Sequence, residues 1–107
     1  MATKGLTINS PGVPTELGKK TNTYVTVVEV DAQGKDDAGD NVIAVLYRLY
    51  ESAAKYDAGD RPLLTAGFSH RATYSIAAAT EISQTSIHQG LKAVLEGEGW
   101  TVTEVTE

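Results

Sequence analysis

The sequence predicts one small α+β domain, and three segments carry this prediction. Residues 23–30 are dense in β-branched and aromatic side chains, which is typical of a strand. Residues 41–56 and 84–96 place apolar side chains at helical spacing. A chain of 107 residues can bury one modest hydrophobic core. We therefore expect an extended N-terminal arm over residues 1–22 and a single domain over residues 23–107.

Composition and charge narrow the function classes. The net charge is −5, and the only basic cluster is N-terminal, at Lys4, Lys19 and Lys20. Proteins that bind nucleic acid usually present a basic face, so this balance argues against strong DNA binding. The chain has no cysteine, which excludes disulfides and thiolate metal sites. No apolar run resembles a membrane span or a secretory signal, so we expect no membrane partner. The expected location is the cytoplasm or an assembled virus particle.

The first half of the chain is interpreted as arm, strand and helix. Residues 10–14 contain Pro and Gly, so the arm is expected to turn and then to lie extended, either mobile or along another surface. The helix over residues 41–56 is expected to begin after Asp40, whose carboxylate can accept the free N–H groups of the first turn. Gly59 marks its end. The apolar positions that indicate this helix are Val42, Val45, Leu46, Leu49, Ala53 and Tyr56.

The second half contains one ambiguous segment and one clear helix. Residues 63–68 and 72–74 are candidates for a short hairpin. Residues 75–82 favour a helix because of three consecutive alanines, although residues 73–79 also allow a strand, in which Tyr74, Ile76 and Ala78 would share one face. The clear helix, residues 84–96, is capped by Ser83 or Thr85 and followed by a closing strand over residues 100–105. Its buried stripe is expected to be Ile87, Leu91, Val94 and Leu95.

The stretch from Ile76 to Leu91 resembles winged helix-turn-helix transcription regulators. The matching residues are Ala77, Thr80, Ile82, Ser83, Ser86, Ile87, His88 and Leu91. The resemblance implies a first helix at 75–82, a recognition helix at 84–96 and a wing after Trp100, with the strand at 23–30 pairing to residues 100–105. The implied function is a small DNA-binding regulator that acts as a homodimer on double-stranded DNA.

Six side chains are the candidate DNA contacts under this resemblance. Gln and Thr can read base edges, and Lys and Arg can meet phosphate or guanine. The candidates are Arg71, Gln84, Thr85, His88, Gln89 and Lys92. The alternative is that these residues form a polar surface that faces solvent and has no binding role.

Catalytic and metal-binding motifs are not found in the sequence. His70 and His88 have no partner at metal-ligand spacing, and no series of nucleophile and base can be recognised. We therefore expect no enzyme, no metal and no cofactor.

A second hypothesis is a ferredoxin-like β-α-β-β-α-β fold, in which residues 73–79 are a strand. It predicts a non-catalytic interaction or assembly protein, such as a virion structural component, that contacts its neighbours through the N-terminal arm. The acidic net charge favours this alternative. Whether residues 73–82 are helix or strand decides between the two hypotheses.

Overall fold

The fold is built around one curled antiparallel sheet of five strands, and the computed structural model describes residues 2–107. The elements in chain order are β1 (Thr3–Ser10), β2 (Val13–Thr15), β3 (Gly18–Lys20), β4 (Thr23–Lys35), β5 (Asn41–Tyr50), α1 (Ala53–Asp57), β6 (Arg71–Ile76), α2 (Gln84–Gly97) and β7 (Thr101–Thr106). The strand order of the sheet is β6-β5-β4-β1-β7, and β2 with β3 forms a separate ribbon. Helix α2 packs against β1, β6 and β7 on the inner face of the sheet.

The predicted winged helix-turn-helix fold is wrong. The protein is 47% strand and 18% helix, and it has only two helices among the described residues. Residues 41–50, which were expected in the supporting helix, form β5, and only residues 53–57 are helical, as α1. The ferredoxin-like alternative is also wrong, because its order needs a long helix between the first two strands and the chain forms five strands before α1.

Strand β5 was mistaken for a helix because both of its faces carry apolar side chains. Ile43, Val45, Tyr47 and Leu49 are buried on the inner face, while Val42, Ala44 and Leu46 are half-buried on the outer face. A strand that is apolar on both sides matches helical spacing as well as strand spacing. The pairing of β5 with β4 on one side and β6 on the other decides in favour of the strand.

The expected first helix at residues 75–82 is also absent. Strand β6 continues through Ile76, which pairs with Asn41, and the chain then turns at Ala77, whose carbonyl accepts from the Thr80 N–H at 2.9 Å. Cross-strand pairing therefore overrides the helical propensity of the alanines. The strand alternative for residues 73–79 is confirmed only for residues 73–76.

Helix α2 agrees with the sequence prediction. Ser83 is the N-cap and accepts from the Ser86 N–H, while the Ser86 hydroxyl accepts from the Ser83 N–H. This reciprocal pair satisfies donors that the first turn leaves free. Of the predicted buried stripe, Leu91 and Leu95 are fully buried against the sheet, whereas Ile87 and Val94 are only half-buried. The closing strand after Trp100 is confirmed as β7.

Residues 3–10, which we expected to belong to an extended arm, instead form β1 inside the sheet. Leu6 and Ile8 are fully buried, which explains why this segment pairs rather than staying free. Strand β1 lies between β4 and β7. The expected direct pairing of residues 23–30 with residues 100–105 is therefore wrong, because β1 separates these two strands.

Strand β4 bends partway along its length, and its outer part extends beyond β1 as an exposed edge of the sheet. It pairs with β1 only over residues 23–25, but it pairs with β5 from Tyr24 to Lys35. A register shift between Val27 and Glu29 marks a bulge, which bends a strand and increases its twist. We call residues 28–40, the outer part of β4 with its turn, the projecting hairpin.

Candidate functional site

Three of the residues expected to contact DNA instead hold α2 to the sheet. His88 is only 3% exposed, and its Nε2 accepts from the backbone N–H of Val27 on β4 at 3.2 Å. The Thr85 hydroxyl accepts from the Thr3 N–H on β1 at 3.0 Å. Gln89 donates from Nε2 to the Glu104 carboxylate on β7 at 3.2 Å. The polar face of α2 is therefore engaged with three different strands.

The other three predicted contact residues lie on the surface at separate places. Gln84 is exposed at the start of α2, and its carbonyl accepts from Nδ1 of His88 at 2.8 Å. Lys92 lies 4.0 Å from the Glu96 carboxylate on the same helix. Arg71 is exposed at the start of β6. The structure does not bring the six residues together into one patch, and their role in DNA binding stays a prediction.

The two hydrogen bonds of His88 define its protonation state. Because Nε2 accepts from a backbone N–H, the single proton of the neutral ring lies on Nδ1, which donates to the Gln84 carbonyl. Burial lowers the pKa of His88 below its ordinary value, and the bond to Gln84 opposes this only in part. His88 is therefore a neutral link between α2 and the bulge in β4.

The projecting hairpin is the most exposed regular structure of the protein. Every residue from 28 to 35 is exposed, including Val28 and Val30, and Val30 retains 45% of its surface. One edge of this segment pairs with β5. The other edge pairs with no strand of residues 2–107, because β1 stops pairing at Val25. The segment therefore presents unpaired backbone donors and acceptors to solvent.

The tip of the projecting hairpin is ordered by its own carboxylates. Asp36 accepts from the Ala38 and Asp40 N–H groups and from the Ser75 hydroxyl of β6 at 2.8 Å. These hydrogen bonds lower the pKa of Asp36, and the bond from Ser75 has the largest effect. Asp40 accepts from the N–H of Ala78, which follows β6. The tip is thus tied to the neighbouring strand and is not a free loop.

Strand β6 supplies a second open edge on the opposite side of the same three-stranded block. On the outer face, Glu29 of β4, Leu46 of β5 and Arg71 of β6 lie in one cross-strand row. On the inner face the corresponding row is Val30, Val45 and Ala72. Arg71 forms no salt bridge with any described residue. One block therefore has an acidic edge at β4 and an edge with a free cation at β6.

A hydroxyl–imidazole pair lies in the loop before β6. The Thr65 hydroxyl is 2.7 Å from Nε2 of His70, and Nδ1 of His70 faces the Tyr47 carbonyl at 3.2 Å. A carbonyl only accepts, so Nδ1 carries the proton and Nε2 accepts from Thr65 in the neutral ring. No carboxylate bonds to His70 in the described part of the chain. The contacts attach this loop to β5.

The sequence contains a partial signal for the projecting hairpin. Residues 28–31 alternate valine with acidic residues, and this period of two is typical of a strand. The pattern predicts the end of this strand at residue 30, because the residues that follow are polar. The length and the exposure of the hairpin follow only from its pairing with β5. No local sequence pattern indicates this pairing.

Two general features, a metal-ion cluster and a membrane-spanning helix, are absent from residues 2–107. No group of three or more His, Asp or Glu side chains in this range is arranged to hold a metal ion. None of the helices there has the length and apolar character needed to cross a membrane. No protein-family model, no curated protein and no solved structure shows significant similarity to this chain.

Proposed function

We propose that this chain is a non-catalytic assembly protein that contacts other protein subunits through its projecting hairpin. The observation that carries the proposal is the run of eight exposed residues, 28–35, with one edge unpaired. The N-terminal segment, which we had expected to make such contacts, is occupied within the sheet as β1.

The energetics of the hairpin support a binding role. Ordering a backbone costs about 1–2 kcal/mol per residue, and most segments recover this cost by burying apolar surface. Residues 28–35 bury little, because their side chains are exposed on both faces. A long open edge is also a liability that proteins usually cover. Contact with another protein would offset this entropy cost by burying apolar surface, and it would cover the unpaired edge.

The order of the tip supports the same function. Asp36 and Asp40 hold the turn in one conformation and attach it to the end of β6. A segment that is already ordered loses less conformational entropy when it binds. The hairpin is therefore prepared for contact before a partner arrives.

Double-stranded DNA is a poorer match for this surface. The projecting hairpin contains Glu29, Asp31, Asp36, Asp37 and Asp40 against the single cation Lys35. Such a surface repels phosphate, whereas phosphate contacts supply most of the non-specific affinity of DNA-binding proteins. DNA binding by α2 stays an untested prediction. A gel-shift assay at low salt with purified protein provides the test.

Site-specific photo-crosslinking in the cells that naturally produce the protein tests the proposed function. A photoreactive residue at Asp31 is compared with the same residue at Ala93, which is exposed on α2. We expect protein adducts at position 31 well above those at position 93. Equal yields at both positions, or adducts with nucleic acid alone, would contradict the proposal.

A further inference from the structure

The two open edges of the β4–β5–β6 block have the same strand direction. Both β4 and β6 are antiparallel to β5, so they run parallel to each other. A second copy that adds its β6 beside β4 of the first continues the sheet with its inner and outer faces unchanged. Repeating this contact joins further copies head to tail, which gives a ring if the rotation closes and a filament if it does not.

The charges of the two edges are complementary. The β4 edge presents Glu29 and Asp31 on the outer face, and the β6 edge presents Arg71 on that face. Arg71 has no ion pair within its own chain over residues 2–107. Placing β6 of one copy beside β4 of the next brings this cation next to both carboxylates, a charge-assisted contact at a sheet edge.

Other pairings of the β4 edge bring like charges together. Two β4 edges related by a twofold axis oppose the carboxylates of Glu29 and Asp31 to those of the second copy. The third open edge, β7, contains no lysine or arginine and carries Glu104, whose carboxylate already accepts from Thr3 and Gln89. Charge therefore favours β6 as the partner of β4.

The inner face of the same junction is apolar. Val30 is partly exposed, while Ala72 and Tyr74 of β6 are half-buried. In the continued sheet, Ala72 of one copy lies beside Val30 of the next, so the junction removes exposed apolar surface from water.

We propose that the occupant of the open β4 edge is a second copy of this chain, which adds its β6 in parallel and so forms a head-to-tail assembly. The proposal rests on the proposed function and specifies its partner. It requires Glu29 and Asp31 of one copy to face Arg71 of the next.

Engineered cysteines provide the test, because the natural chain has none. Val30→Cys and Ala72→Cys lie on either side of Val45 in one row. Two strand spacings separate them by roughly 10 Å within one chain. A disulfide needs Cα atoms within about 7 Å, so any bond between these positions joins two copies.

We expect the purified double variant to form a ladder of covalent oligomers longer than dimers under mild oxidation. A mixture of the two single variants should give mixed dimers in excess over homodimers. The matched control, Val30→Cys with Thr103→Cys on the β7 edge, should give no ladder. Circular dichroism of each variant checks that the fold is retained.

Sedimentation velocity with charge variants supplies the second measurement. Arg71→Glu should weaken self-association by at least about tenfold, since like charges across an interface are strongly unfavourable. Combining it with Glu29→Lys and Asp31→Lys should restore association.

Three results would overturn the proposal. Homodimers of either single cysteine variant alone would indicate a twofold contact and replace the head-to-tail geometry. Cross-links from Val30→Cys to Thr103→Cys would make β7 the partner. Monomers at all concentrations would exclude the second copy, while the photo-crosslinking at Asp31 would still decide whether another protein binds the hairpin.

Discussion

Helix α2 and the projecting hairpin belong to the same sheet, but their side chains make opposite kinds of contact. The helix buries Leu91 and Leu95, and it uses His88 to bond the backbone of β4. The hairpin leaves residues 28–35 exposed, and its side-chain hydrogen bonds lie within the hairpin, as from Gln33 to Asp31, or attach its tip to β6. The comparison indicates that α2 contributes more buried contact to folding than the hairpin does, so side chains of the hairpin can change with less cost to stability.

The largest expected difference between the two regions comes from truncating apolar side chains. Leu91→Ala should lower the free energy of unfolding by about 3 kcal/mol, because it leaves a cavity under α2. Val30→Ala in the projecting hairpin should change it by less than about 0.5 kcal/mol, since this side chain is largely exposed. Urea unfolding of both variants measures the two values. Equal losses would show that the hairpin is as important for stability as the helix.

The close approach of α2 to β6 gives the next largest effect. A Cβ at Gly90 would lie 2.4 Å from the Tyr74 ring, whose hydroxyl donates to the Ile87 carbonyl of α2 at 2.5 Å. Gly90→Ala should therefore destabilise the protein by about 1–3 kcal/mol through overpacking. The matched control is Gly97→Ala on the same helix, where a Cβ meets nothing within 4 Å and the substitution should be neutral or slightly stabilising.

A double-mutant cycle identifies the cause of the Gly90 effect. In a Tyr74→Ala background the ring is gone, so Gly90→Ala should lose its additional cost. If the cost persists without the ring, the contact between Tyr74 and Gly90 does not explain it.

A smaller effect should depend on pH through His88. Its pKa is lowered in the folded protein, so the unfolded chain takes up the proton first as the pH falls. The contribution of His88 is complete above pH 6.5, the ordinary value, and is lost as the pH falls toward the lowered pKa. The loss is at most about 1.4 kcal/mol per pH unit.

Urea unfolding at pH 7.5 and pH 5 measures this loss. The His88→Gln variant is the comparison protein, and it should show a flatter pH dependence in this window. His70 is present in both proteins, so the difference isolates His88. Identical pH dependence in the two proteins would show that protonation of His88 does not contribute to the pH dependence of stability.

The smallest effect is expected at the tip of the projecting hairpin. Ser75→Ala removes the hydrogen bond to Asp36 that attaches the tip to β6. This bond is also the largest cause of the lowered pKa of Asp36. We expect faster amide hydrogen exchange at Gly39 and Asp40, with unchanged exchange at Leu91. Faster exchange confined to α2 would contradict the prediction, because it would show that Ser75 stabilises the helix and not the tip of the hairpin. Acidification should have the same local effect, because the bonds to Asp36 are lost as the pH falls through its lowered pKa.

The sequence predicted part of the fold, and the correct parts share one property. Helix α2 and its Ser83 cap, the closing strand β7 and the first residues of β4 were all recognisable. Each has one buried face with regular spacing or a local capping signal, so local pattern and tertiary environment agree. Strand β5 has two apolar faces, and its period therefore could not decide between helix and strand.

The candidate site was not predictable in the same way. The polar residues of α2 looked like a free surface, but Thr85, His88 and Gln89 each contact a different strand. Only residues 28–30 of the projecting hairpin were predicted as strand, because the residues that follow them are polar. A polar side chain at helical spacing can face water or bond a neighbouring strand, and its own segment does not distinguish the two.

The amino-acid sequence by itself determined the length and capping of α2, the acidic character of the hairpin and the absence of cysteine chemistry. These follow from side-chain composition and from hydrogen bonds within a few residues. Tertiary structure alone decided that residues 3–10 enter the sheet, that residues 41–50 are a strand, and that β4 continues past its bulge as an open edge. Each of these depends on pairing between residues distant in the chain, and such pairing overrides the local preference of any one segment.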